Sequence, residues 1–265
     1  LKPPSSAASS ARKNTPPARS RSAPKLLALQ DRLRDDGRFA LHILINGVDG
    51  AGKGETVNLL HEWMDPRYIS TVAFGPPTDE EAARPPYWRY WRALAPRGRT
   101  GIYFGNWYTN PIVERVDGRL KRGRFLKAIE RIRHFEQALV DDGALLVKLW
   151  FHLGKAQQAR VYRDLRKNKH SRWRVTRDDL ERHARYDEFR LVSEEVVQET
   201  STGTAPWTVI EAVDRRYREL AVAETLIAAL KAIPFKIASS RNQIGFSERL
   251  EAGSTRGRKL DRLAP

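Results

Sequence analysis

The sequence predicts an α/β fold of three layers, a doubly wound and mostly parallel five-stranded sheet with helices on both faces. Three observations carry this. Five short apolar runs recur along the chain, the segments between them are long enough for crossover helices, and a glycine-rich loop follows the first run directly.

The runs are "ALHILIN" (40–46), "STVAF" (70–74), "TGIYF" (100–104), "LLVKLWFHL" (145–153) and "WTVIEA" (207–212). Their hydrophobicity does not alternate, as expected of strands covered on both faces. "RFLKAIERIRHFEQAL" places Phe125, Ile129, Ile132, Phe135 and Leu139 on one helix face by their spacings of three and four. Such sheets bind ligands beyond the carboxyl ends of their strands.

A chain of 265 residues, 40% apolar, accommodates one large domain. Residues 1–25, rich in Ser, Ala and Pro with scattered cations and no acid, are expected to form a disordered basic tail. Residues 239–265 read as a second basic tail or a linker, leaving 26–238 as the folded domain. With no cysteine, disulfides, thiolate metal sites and cysteine nucleophiles are excluded, and a cytoplasmic location is expected. No apolar run is long enough to span a bilayer, so no membrane association is expected. The net charge of +16 points to a polyanionic partner. No nucleic-acid-binding module is recognisable, so nucleic acid ranks below condensed phosphate as that partner.

"GVDGAGKGET" (47–56) lies between the first strand and "GETVNLLHEWM", which carries Val57, Leu60 and Met64 at helical spacing. Strand, loop and helix in this order form a phosphate-binding loop. Gly47, Gly50, Ala51 and Gly52 would turn backbone N–H groups toward phosphate, and Lys53 would add an ammonium at the start of the helix. Gly54 stands where such loops carry a magnesium-binding hydroxyl. Thr56 lies one turn on, and Asp49 inside the loop is the candidate ligand for Mg2+, which prefers hard oxygen donors.

The loop resembles the G-x-D-x-x-G-K-G-x-T pattern of the polyphosphate kinase 2 family. The resemblance continues through "DPR" (65–67), "WRYW" around Arg89, "NWY" (106–108), "VERV" (113–116), "LVDDGALLVKLW", "SRWRVTRDDLE" and "APWTVIEA". Within the family the chain is most similar to the amino-terminal half of two-domain polyphosphate:AMP phosphotransferases. The resemblance implies a P-loop kinase-like fold with a helical lid over about 160–190, and phosphoryl transfer between inorganic polyphosphate and an adenine nucleotide, AMP to ADP. It also implies an oligomer or fusion to a second related domain.

By the same resemblance Asp49, Lys53 and Arg172 are catalytic, and Gly54, Thr56, Arg89, Arg172 and Arg174 join the loop in phosphate binding. Trp173 is expected to anchor the lid to the body, with base stacking as the alternative. Glu114 and Arg115 are expected to form an ion pair, and Asp141 and Asp142 a helix-to-strand turn. A charge in an apolar strand needs a partner, and Lys148 is a candidate to reach phosphate from the strand end. The sequence departs from the family after its third strand. Phe104 and Gly105 stand in place of an Asp-Arg pair, and Asn110 in place of a further Arg. That departure supports an alternative role, a degenerate half that binds or assembles with an active partner.

Overall fold

Five strands, β1 (Ala40–Gly47), β2 (Ile69–Ala73), β3 (Thr100–Phe104), β4 (Ala144–His152) and β5 (Trp207–Glu211), pair in the order β2-β3-β1-β4-β5. All four pairings are parallel, with Leu41 opposite Thr100 on one side and Leu145 on the other. The computed structural model describes residues 18–235. One compact unit runs to Ile233; the second, Pro234–Pro265, lies almost wholly outside the described residues, as does the tail expected over 239–265.

Ten helices occur among the described residues: α1 (Ala18–Asp36), α2 (Lys53–Trp63), α3 (Asp79–Ala82), α4 (Trp88–Ala93), α5 (Thr109–Val116), α6 (Arg122–Asp141), α7 (Lys155–Lys167), α8 (Arg177–Ala184), α9 (Tyr186–Thr200) and α10 (Arg215–Lys231). Helices α1, α2 and α10 pack together over one face of the sheet, and α5, α6 and α9 over the other. Because successive strand side chains point to opposite faces, Leu146 and Trp150 of β4 join the core under α6 with its Phe125, Ile129, Ile132, Phe135 and Leu139. None of the described helices is long and apolar enough to cross a membrane.

Helix α1 starts inside the stretch expected to be a tail. Leu26, Leu29 and Leu33, at helical spacing, are buried, and α1 packs on α10. Each such leucine removed from water contributes roughly 1.5–3 kcal/mol, which offsets the cost of ordering the segment. The tail expectation for residues 1–17 lies outside the described residues.

β1 lies between β3 and β4, and the chain visits β2 and β3 on one side before crossing to β4 on the other. The carboxyl ends of β1 and β3 therefore open onto a crevice. Asn106, fully buried just beyond β3, donates to Asn46 Oδ1 at the end of β1 at 2.7 Å and to the Tyr103 carbonyl at 3.2 Å, lacing the two strand ends together.

Candidate active site

The loop between β1 and α2 folds back on its own lysine. Lys53 Nζ donates to the Gly47 carbonyl at 2.6 Å and to Asp49 Oδ1 at 3.2 Å. Asp49 Oδ2 accepts from Nε of Arg182 on α8 at 2.9 Å. Burial opposes ionisation of Asp49, but the two cations outweigh it and hold the carboxyl below its usual range. These groups line a cleft of about 330 Å³ together with Gly47, Phe104 and Gly105.

The segment after β4 covers the loop, as a lid would. Gln158 on α7 donates to the Asp49 carbonyl at 2.9 Å and is held by Tyr162 OH at 3.2 Å and His183 Nδ1 at 2.6 Å. Behind the loop, Arg218 of α10 is buried, and its Nη2 donates to Glu55 at 2.7 Å. It packs so closely on Gly52 that an added Cβ there would lie 2.2 Å from Nη1.

Of the other expected phosphate ligands, Thr56 is buried and turns its hydroxyl onto the Gly52 carbonyl at 3.1 Å, closing the first turn of α2. Ala51 is buried too, and Gly54 has open space where a side chain would project. Arg89 packs over the Phe74 ring, donates to the Gly75 carbonyl at 3.1 Å and lies 3.4 Å from Glu81. It does not line the cleft. Arg172 and Arg174 sit on an exposed 3₁₀ turn, with Arg174 3.9 Å from Glu55.

Trp173 is 74% exposed, which overturns the expectation that it anchors the lid. Its Nε1 donates only to the nearby His170 carbonyl among the described residues. Lys148 does not reach the cleft. It is fully buried and its Nζ lies 2.7 Å from Glu136 on α6, because its position in β4 points it to that face of the sheet. Arg115 donates to the Leu120 carbonyl, and no Glu114–Arg115 pair forms among the described residues. Asp141 and Asp142 do stand at the helix-to-strand turn, where Asp142 pairs with Arg97 at 2.7 Å. Sequence reasoning missed Arg182, Arg218, Glu55 and Gln158. Arg182 carried one signal, its place within the expected lid.

Gly105 has φ 55°, and a Cβ added there would lie 2.2 Å from the Phe74 carbonyl oxygen. That residue is held in place, since the Phe74 N–H donates to Phe104 O at 3.0 Å just beyond the end of β2. Any side chain at 105 is therefore strained as well as crowded. Gly105→Ala is expected to destabilise the fold by about 1–3 kcal/mol, read as a lowered urea midpoint, and Gly105→Arg by at least as much. An unchanged midpoint would show that the strand end relaxes freely.

A parallel sheet with a glycine-rich loop after its central strand, a lysine opening the first helix, and α7 and α8 bridged to that loop defines an α/β domain of the P-loop kinase-like class. Residues 9–236 match the polyphosphate kinase 2 family, and the chain belongs to that family. It is 47% identical over 207 residues to a polyphosphate:AMP phosphotransferase of Pseudomonas aeruginosa, covering 78% of this chain and 42% of the relative. The corresponding protein of Pseudomonas syringae pv. tomato is 44% identical over 212 residues, covering 80% and 43%. The chain thus spans less than half the length of these two relatives. A solved polyphosphate kinase 2 from Arthrobacter aurescens TC1 superposes with a TM-score of 0.82 at 26% identity, covering 89% of this chain and 84% of that one.

Proposed function

We propose that the chain transfers the terminal phosphoryl group of inorganic polyphosphate to AMP, yielding ADP. The carrying observation is the cleft in which the loop lysine and a lid arginine meet over one carboxylate. The relatives at 47% and 44% identity, both polyphosphate:AMP phosphotransferases, support the choice of donor and acceptor. An oxygen of the AMP phosphate attacks the terminal phosphorus in line. The bond from that phosphorus to its bridging oxygen breaks, and the chain leaves one unit shorter with the bonding pair. The acceptor oxygen is already anionic near neutral pH, so no general base is required. Lys53 and the loop N–H groups hold the donor, and the lid excludes water that would otherwise take the phosphoryl group.

Magnesium fits this cleft modestly. Asp49 is the carboxylate that lines it, and Mg2+ is commonly held by one or two carboxylates with phosphate oxygens and water. No cluster of three or more His, Cys, Asp or Glu able to hold a metal occurs among the described residues. When bound, Mg2+ would neutralise phosphate charge. Further parts of this proposal are a cytoplasmic location, correspondence to the amino-terminal half of a two-domain enzyme, and action as an oligomer or beside a second related domain. No specific nucleic-acid partner is included.

The test is ADP formation by the purified chain with AMP, polyphosphate and Mg2+. Turnover is expected, and Lys53→Ala is expected to lower it on the order of 10²-fold or more, by analogy with the loss of one oxyanion donor. Saturable polyphosphate binding without turnover would instead assign a binding or assembly role. Absence of any saturation in calorimetry would overturn the reading.

A further inference from the structure

A phosphoryl group in transfer spreads negative charge over three equatorial oxygens, and the protein's part is to set cations against them. The end of β3 supplies none, since Phe104 and Gly105 line the cleft there and position 105 cannot take a side chain without strain. Lys53 and Arg182 are the lysine and arginine lining the cleft. They bind opposite oxygens of the Asp49 carboxylate, at 3.2 and 2.9 Å, so ammonium and guanidinium already flank a small anionic group.

Arg182 is also oriented from behind. Its Nη2 donates to Asp179 Oδ1 at 2.5 Å, and the other oxygen of Asp179 accepts from Thr176 N and Oγ1 in the capping box that opens α8. Nη1 has no protein partner among the described residues. A side chain held along one edge, with donors left over, is suited to grip phosphate oxygens in the forked manner of guanidinium. Arg172 and Arg174 lack this placement, standing on the 3₁₀ turn and not among the residues that line the cleft.

We infer that Arg182 is the catalytic cation of the lid, exchanging the Asp49 carboxylate for the equatorial oxygens of the phosphoryl group in flight. This rests on the phosphotransferase reading above. Asp49 then keeps the guanidinium over the loop until phosphate arrives and competes for it. The bonds made and broken are those already given; Arg182 contributes charge and exchanges no proton.

Steady-state kinetics on Arg182→Ala, Arg182→Lys and Arg177→Ala tests the inference. Arg177 lies on the same helix and pairs at the surface with Glu181. Arg182→Ala is expected to lower kcat roughly 10²- to 10³-fold while the KM values for AMP and polyphosphate move about tenfold or less. Arg182→Lys should recover only part, because a point charge does not reproduce the fork. Added guanidinium at non-denaturing concentration should partly rescue Arg182→Ala and leave Lys53→Ala unrescued, a response that a structural role would not give. Arg177→Ala should stay near the parent. Should Arg182→Ala fold poorly in a thermal melt, Arg182→Lys decides on the same kcat criterion. A parent that turns over beside an Arg182→Ala variant with the parent's kcat sinks the inference alone. A parent with no turnover sinks the proposed function and this inference with it.

Discussion

Truncation of Glu136 to alanine is expected to destabilise the protein by about 3–5 kcal/mol, the usual cost of leaving one member of a buried ion pair alone. Glu136 and Lys148 are both almost fully buried. The carboxylate accepts from Lys148 Nζ at 2.7 Å, Tyr108 OH at 2.6 Å and Trp107 Nε1 at 3.0 Å. Lys148 donates in addition to the Thr200 carbonyl at 2.7 Å and lies over the rings of Tyr108 and Trp207. Burial draws the lysine pKa down, and Glu136 resists that pull. Without Glu136 the burial cost acts unopposed, and the Tyr108 and Trp107 donors lose their acceptor. The double variant Lys148→Met with Glu136→Gln removes both charges but keeps an amide oxygen for those donors. It is expected to lose less than Glu136→Ala alone. Urea unfolding of the parent and both variants decides this, and a cost under about 1 kcal/mol for Glu136→Ala would show that the network tolerates an unpaired lysine.

Acid should weaken the fold before ordinary carboxylates titrate. His42 of β1 is 2% exposed, and burial pushes its pKa down from 6.5 to about 4. Its Nδ1 lies 3.1 Å from Tyr103 OH, which accepts from the Ala95 N–H at 2.8 Å and so has its own proton to give to the histidine. A protonated His42 would set two donors against each other. Between pH 6.5 and about 4 the unfolded chain binds a proton that the folded chain does not, so stability falls as pH drops through that window. The full effect is about 3 kcal/mol, from roughly 1.4 kcal/mol per pKa unit. His42→Gln, which keeps an acceptor for Tyr103, is expected to make the profile of urea stability between pH 7 and 4 shallower, with a residual slope from His152, whose pKa burial also lowers. Equal slopes for parent and variant would place the acid sensitivity elsewhere. Asp49, whose pKa is also lowered, contributes stability that is lost only as pH falls through its own, depressed range.

The sheet was legible because its signal is local. Each apolar run matches a strand to within a residue or so at either end, and the spacing of Phe125 to Leu139 gives the buried face of α6. The loop was equally legible, since strand, glycines and lysine are contiguous. The partner of Lys148 left a trace that went unread: Glu136 falls on the apolar stripe of α6, between Ile132 and Leu139. Which arginine reaches the loop could not be read locally. The stretch from Arg163 to Arg182 holds six arginines, and only the packing of α7 and α8 over the loop puts Arg182 at Asp49. Phe104 and Gly105 read as missing chemistry; that the backbone at 105 is left-handed is a property of the folded ladder, absent from residue type.

The closeness of Gly105 to the Phe74 carbonyl makes this corner of the protein a one-way door. A designer wishing to graft a side chain at that position must first move the neighbouring chain aside, so the shortest mutational route back runs through a less stable protein. Two coordinated changes, one just past the end of each strand, would have to arrive together.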